Sequence, residues 1–172
     1  MSSIVVGIGE CAVSDDPDAV LVTYALGSCI AVVIFDPVLK VGGLLHYMLP
    51  DSALDQEKAR RRPFMFADTG IPLLFQQAYQ LGAMRSRIEV AVLGGAQVMD
   101  TSETFNIGKR NHLALRKIFW KAGILVRNED VGGTQSRTVR LEMTSGRIVV
   151  RRGLTEEVIQ PSGKGRGANC GV

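Results

Sequence analysis

Three cysteines (Cys11, Cys29 and Cys170) and two histidines (His46 and His112) are the chain's only soft nucleophiles and imidazole bases. A cysteine nucleophile needs a base within hydrogen-bonding reach of its sulfur, because the thiolate is the attacking species. Cys29 is the best placed of the three, since it follows the small-residue turn Leu26-Gly27-Ser28 and opens an apolar run over 29–35. Such a turn can aim backbone N–H groups at a reacting carbonyl, which makes Gly27 and Ser28 the expected oxyanion turn. His46 stands near the end of the next apolar run, 41–48. If the two runs are adjacent antiparallel strands, the start of one lies beside the end of the other, and Cys29 meets His46. That pair could attack a carbonyl carbon, with Cys29 partly accessible and its pKa lowered by a neighbouring imidazolium. The plainer reading stands beside it. Unpaired cysteines usually behave as small buried hydrophobes, and a histidine in an apolar strand is more often a hydrogen-bonded core residue. Spacing does not decide between the two.

The other candidates are weaker. Cys11 and Cys170 have no histidine at comparable spacing, and His112 sits among polar residues that suit a helix surface. No CxxC or HExxH spacing occurs, so no metal site is expected. Gly163-Lys164-Gly165 lacks the preceding strand and glycine of a phosphate-binding loop.

The elements that must position Cys29 and His46 follow from periodicity and punctuation. Strands are expected at 3–9, 20–24, 29–35 and 41–48, the third apolar enough to be buried on both faces. Asp36-Pro37 turns the chain between the last two. A helix over 68–81 has Asp68 and Thr69 as capping types, Pro72 in its first turn and Gly82 as its stop. After a strand at 87–93, Asn106 caps a second helix reaching Ala122, with Leu115, Ile118, Phe119 and Ala122 on its buried stripe and Gly123 beyond. A strand at 124–127 and a hairpin of 138–143 with 147–151 around Thr144-Ser145-Gly146 complete residues 1–152, read as one domain. Residues 153–172 carry five Gly with Pro161 and Ser162, show no sustained periodicity and read as a mobile tail in which only 156–159 could dock. This order predicts an α+β layered sandwich of mixed sheets flanked by helices rather than a Rossmann fold.

Composition bounds the rest. With 172 residues, 46% hydrophobic and 22% charged, the chain suits a single soluble domain. No apolar run reaches the ~20 residues of a bilayer span, and residues 1–10 lack a secretory pattern, so no membrane insertion is expected. Three cysteines cannot form a disulfide framework, which points to a cytoplasmic location. A formal charge of +3 carries no nucleic-acid reading. The cluster Lys58, Arg60, Arg61 and Arg62 reads as a solvated loop, or as a patch for an acidic partner.

Larger segments carry a resemblance. Leu21-Val22-Thr23-Tyr24-Ala25-Leu26-Gly27-Ser28-Cys29, Asp36-Pro37 and Gly42-Gly43-Leu44-Leu45-His46-Tyr47-Met48-Leu49-Pro50 resemble the CheD family of chemoreceptor glutamine deamidases. Ala67-Asp68-Thr69, Gly94-Gly95-Ala96, Asn106-Ile107-Gly108-Lys109-Arg110-Asn111 and Asp130-Val131-Gly132-Gly133 continue it in order. The resemblance implies catalytic roles for Cys29, His46 and Thr23, the last orienting the imidazole. It also implies a sandwich like that of deamidating bacterial toxins. The implied activity is hydrolysis of glutamine side chains on methyl-accepting chemoreceptors, through a cysteine thioester and without cofactor. The implied partner is the chemotaxis phosphatase CheC. Two rival readings remain: peptide cleavage or acyl transfer by the same pair, and a non-catalytic or mainly regulatory partner of CheC.

Overall fold

Valine, isoleucine and leucine dominate the runs around Cys29 and His46, and in the computed structural model these runs are the two central strands of a five-stranded sheet. The structure describes residues 1–98 and 106–160. The strands are β1 (Ser2–Val5), β2 (Glu10–Ser14), β3 (Ala19–Leu26), β4 (Ile30–Asp36), β5 (Val41–Tyr47), β6 (Glu89–Gly94), β7 (Asn128–Val131), β8 (Arg137–Glu142), β9 (Arg147–Arg152) and β10 (Thr155–Ile159). The helices are α1 (Gln56–Arg61), α2 (Ala67–Gln80) and α3 (Ile107–Ala122). One sheet runs β1-β3-β8-β9-β10 and the other β2-β5-β4-β6-β7. Both are mixed, with β1 parallel to β3 and β6 parallel to β7.

Three layers result. One core lies between the sheets, where Leu21, Leu26, Val139 and Leu141 meet Ala31, Val33, Leu44 and Leu93. A second lies between the outer face of the β5-β4-β6 sheet and the helices, where Ile30, Val32, Leu45 and Tyr47 meet Ile71, Leu74, Leu115 and Phe119. β4 and β5 are therefore buried on both faces, as their unbroken apolar sequences require. The α+β layered sandwich expected from sequence is the observed class.

Several elements differ from the sequence reading. β2 was unexpected, because its residues mix charge with apolar character along the side of the sheet. Residues 124–127 are not strand; pairing with β6 starts at Asn128 instead. Thr155–Ile159, read as tail, pairs antiparallel with β9 as β10, and Ile159 packs against the inter-sheet core. The backbone ladder there outweighs a polar sequence. α2 starts one turn earlier than its capping types suggested. Phe66 is its N-cap, while Asp68 accepts from Ser52 and Thr69 donates to the Pro63 carbonyl. Pro72 is consequently the sixth helical residue, not part of the first turn. The basic cluster read as a loop falls on α1 and its C-cap: Arg61 pairs with Glu57, and the C-cap Arg62 donates to the Ile8 carbonyl. Cys170 and the Gly163-Lys164-Gly165 segment lie outside the described residues. None of the described helices is long and apolar enough to cross a membrane.

Candidate active site

The β4–β5 hairpin sets the first relation. Its antiparallel register pairs Ala31 with His46 and ends at Ile30–Tyr47. Side chains alternate, so Cys29, Ala31, Val33 and Leu44 face the inter-sheet layer, and His46, directly opposite Ala31, faces it too. Cys29 and His46 are thus diagonal neighbours on one face, a relation that places Cα atoms roughly 7–8 Å apart. The expectation that these two residues meet at one end of adjacent antiparallel strands describes this arrangement, with both strands central in the sheet. Both side chains are buried, Cys29 at 8% exposure and His46 at 1%.

Thr23 comes from the opposite sheet. It is fully buried on β3, and its Oγ1 lies 2.7 Å from His46 Nδ1 and 2.6 Å from the Val6 carbonyl oxygen. A carbonyl can only accept, so the single hydroxyl proton goes to Val6, and Thr23 must accept from an Nδ1–H. The neighbouring groups therefore select the Nδ1–H tautomer, leaving Nε2 with a bare lone pair. Among the described residues Nε2 has no hydrogen-bond partner, so the resting structure holds no Cys29–His46 hydrogen bond. The backbone around His46 is tied down by Gly9, whose N–H donates to the His46 carbonyl at 2.7 Å.

Protonation departs from the sequence expectation. Burial pushes the Cys29 thiol up to about 11, partly opposed by a backbone hydrogen bond at Cys29. Burial likewise depresses His46 to about 4, with the Glu10 carboxylate pulling the other way. Glu10 stands opposite His46 in the β2–β5 register. The resting pair is a neutral thiol and a neutral imidazole, not the expected thiolate–imidazolium, because neither charge is solvated there. The expected accessibility of Cys29 is corrected as well, since the residue is buried. Cys11, half-buried on β2, is pushed up further by burial, to about 12. His112 meets Glu129.

The turn carrying Cys29 is pinned at three successive carbonyls. Ala96 N–H donates to the Gly27 carbonyl at 2.9 Å, Asn111 Nδ2 to that of Ser28 at 3.0 Å, and Gly95 N–H to that of Cys29 at 2.8 Å. Glycine is obligatory at position 94, where φ is +109° and an added Cβ would lie 2.3 Å from the Cys29 carbonyl oxygen. Ala25, at φ +52°, lies within the register shift between Thr23 and Leu26, after which β3 pairs with β8 again at Leu26–Arg137. Arg137 closes the same end of the sandwich, bonding Asp130 and the Gly132 carbonyl across the two sheets. A groove of about 370 Å³ opens there, lined by Ala25, Gly27, Ser28, Ala96, Ile107 and Ser136 among others.

Sequence reasoning assigned no role to Val6, Glu10, Tyr47 or Asn111. Only Asn111 left a sequence signal: it is a polar, helix-disfavouring residue on the buried side of α3.

Comparison with known proteins adds a second line. The family model described as CheD chemotactic sensory transduction matches residues 48–152. A probable chemoreceptor glutamine deamidase CheD of Solibacter usitatus (strain Ellin6076) is 53% identical over 169 residues, covering 98% of this chain and 100% of that protein. The probable chemoreceptor glutamine deamidase CheD 1 of Syntrophus aciditrophicus (strain SB) is 53% identical over 151 residues, 88% of this chain and 94% of its own. The chemoreceptor glutamine deamidase CheD of Thermotoga maritima is 41% identical over 148 residues, 86% and 90% respectively.

Proposed function

Because this chain belongs to the CheD family of chemotactic sensory transduction proteins, we propose that it deamidates glutamine side chains on chemoreceptors, with Cys29 as nucleophile and His46 as base. The observation that carries this reading is the Thr23–His46 contact, which leaves a buried, unpartnered Nε2 on the face shared with Cys29.

The reaction is then a proton relay between neutral groups. His46 Nε2 takes the Cys29 proton as the sulfur attacks the carboxamide carbon, so the thiolate forms only as it is consumed. The carbonyl oxygen becomes an oxyanion facing backbone N–H groups of the Gly27–Ser28–Cys29 turn. The new imidazolium is held by Thr23 Oγ1, which accepts from Nδ1–H, and is favoured electrostatically by Glu10. It then protonates the departing nitrogen, and ammonia leaves behind a thioester. Nε2, again bare, removes a proton from water as the water oxygen attacks the thioester carbon. The C–S bond breaks, Cys29 regains its proton, and the product is glutamate. The hydroxyl of Thr23 orients the ring more than it stabilises charge, as a neutral partner must. Within the same proposal, a CheC-type phosphatase is the partner that would regulate the deamidase.

The test is incubation of the protein with the cytoplasmic fragment of a chemoreceptor from the same cell. Ammonia release should accompany a mass gain equal to amide-to-acid exchange at discrete glutamines, and Cys29→Ala should abolish both. New peptide termini in place of ammonia would assign the Cys–His pair to proteolysis instead.

A further inference from the structure

The ladder between β4 and β5 ends at the Ile30–Tyr47 pair, and past it the two chains part, with Met48 N–H donating to the Met65 carbonyl at 3.0 Å. Two carbonyls stand at this parting, Ser28 just before Cys29 and Met48 just after Tyr47. Both take their hydrogen from one side chain, since Asn111 Nδ2 donates to Ser28 at 3.0 Å and to Met48 at 2.8 Å. Asn111 is fully buried in α3, and its own backbone carbonyl accepts from the Tyr47 hydroxyl at 2.7 Å. Its Oδ1 is buried without a hydrogen-bond partner among the described residues. Flipping the amide would set Oδ1 against two carbonyl oxygens, so the orientation follows from the chemistry.

Helix stability alone would favour leucine here, since asparagine is a poor helix former and leaves an orphaned acceptor in the core. What only a primary amide supplies is two N–H donors in one plane at a fixed angle. They bridge the carbonyls as the missing rungs of the ladder would have done. In a trans peptide the C=O and the following N–H point opposite ways, so drawing the Ser28 carbonyl toward α3 sends the Cys29 N–H to the other side. We propose that Asn111 is a positioning residue: it sets the spacing between the chain entering Cys29 and the chain leaving His46, and it orients the Cys29 N–H as an oxyanion donor. This rests on the reading of Cys29 and His46 as the reacting pair.

The experiment compares full-length Asn111→Leu, Tyr47→Phe and Cys29→Ala with the parent protein in ammonia release from the receptor fragment. The pH profile of Cys29 alkylation by iodoacetamide is followed in the first two. Asn111→Leu is expected to lower kcat about 100-fold, the loss typical of one oxyanion donor, while KM stays within about twofold. Its alkylation profile should move to higher pH, because the Cys29 N–H no longer supports the thiolate. Folding is read by circular dichroism and kcat is expressed per folded molecule, because a purely structural role would lower the folded fraction and leave kcat per folded molecule and the alkylation profile unchanged. Wild-type kcat in folded Asn111→Leu overturns the proposal. If that variant does not fold, Tyr47→Phe decides, since it releases the Asn111 carbonyl without touching either bridged carbonyl. A fall in kcat at unchanged KM upholds the positioning role, and unchanged kcat overturns it. Undiminished ammonia release from Cys29→Ala would sink the cysteine mechanism itself, a result separate from any outcome at Asn111.

Discussion

At residue scale the reactive state is set by one proton. Thr23 gives its only hydrogen to Val6, and this obliges His46 to carry its proton on Nδ1. Thr23→Val keeps the shape but removes the acceptor, so both tautomers become accessible and kcat should fall roughly 10- to 100-fold, the range of a general-base contribution. Thr23→Ser should retain most activity; equal losses in the two variants would show that the hydroxyl does not select the tautomer. Neutrality of the pair makes a second prediction. Alkylation of Cys29 by iodoacetamide should keep accelerating above pH 9, because burial holds the thiol near 11, whereas a preformed ion pair would give a plateau near neutrality. Cys29 and His46 were legible as candidates from their types and spacing, and Thr23 through the family resemblance. Their protonation was not, because desolvation comes from β3 and the inter-sheet core, far away in the chain.

At element scale the site is a turn braced from two sides. The Gly94–Gly95 bend carries one brace and α3 the other, and each can approach only where a side chain is missing. Gly108 shows this for the helix: an added Cβ would sit 2.6 Å from the Gly95 carbonyl oxygen. Gly94→Ala combines a backbone clash with a left-handed φ and should cost roughly 2 kcal/mol or more, read as a lower denaturation midpoint, together with loss of turnover. A fully active, equally stable Gly94→Ala would show that the Cys29 carbonyl is free to move. The β4–β5 hairpin was readable because an apolar run, a turn dipeptide and a second apolar run leave little choice of pairing. β2 and β10 were not, since the mixed residues of Glu10–Ser14 and Thr155–Ile159 become strands only when a neighbour offers a ladder.

At the scale of the molecule, the proposed site requires the sandwich to be closed, because Thr23 and His46 belong to different sheets. Acid stability should report this. The folded His46 refuses a proton that the unfolded chain accepts, so stability is full above pH 6.5 and declines as pH falls toward about 4. Cys29 acts in the opposite direction, keeping a proton that the unfolded thiol loses, so stability also declines as pH rises from 9.0 through about 11. Urea midpoints of a His46→Asn variant should show a shallower slope between pH 4 and 6.5; an unchanged slope would mean that His46 does not titrate this way. The domain boundary supplies a further test. Ending the chain after Arg152 removes β10 and the packing of Ile159, and should lower Tm by several degrees, given ~2–4 °C per kcal/mol at this size. We propose that ending it after Gln160 leaves Tm and turnover nearly unchanged, since residues 161–172 bring few apolar side chains. Equal melting of the two truncations would deny β10 a part in the domain.

The sequence by itself determined what depends on neighbours along the chain. The unbroken apolar runs make β4 and β5 central strands, Asp36-Pro37 joins them, and the small residues before Cys29 leave a turn rather than a continuing strand. Asn106 and Gly123 likewise mark α3 locally, the first accepting from Lys109 N–H at 3.0 Å and the second turning left-handed. Only the tertiary structure decided what depends on distance through space. It chose the tautomer of His46 through a hydroxyl on the other sheet and neutralised the Cys29–His46 pair by burial. It also turned Asn111, one more polar residue in a helix, into the bridge between two parted strands. Those outcomes rest on directional hydrogen bonds and exclusion of water between segments far apart in sequence, and no local pattern encodes either.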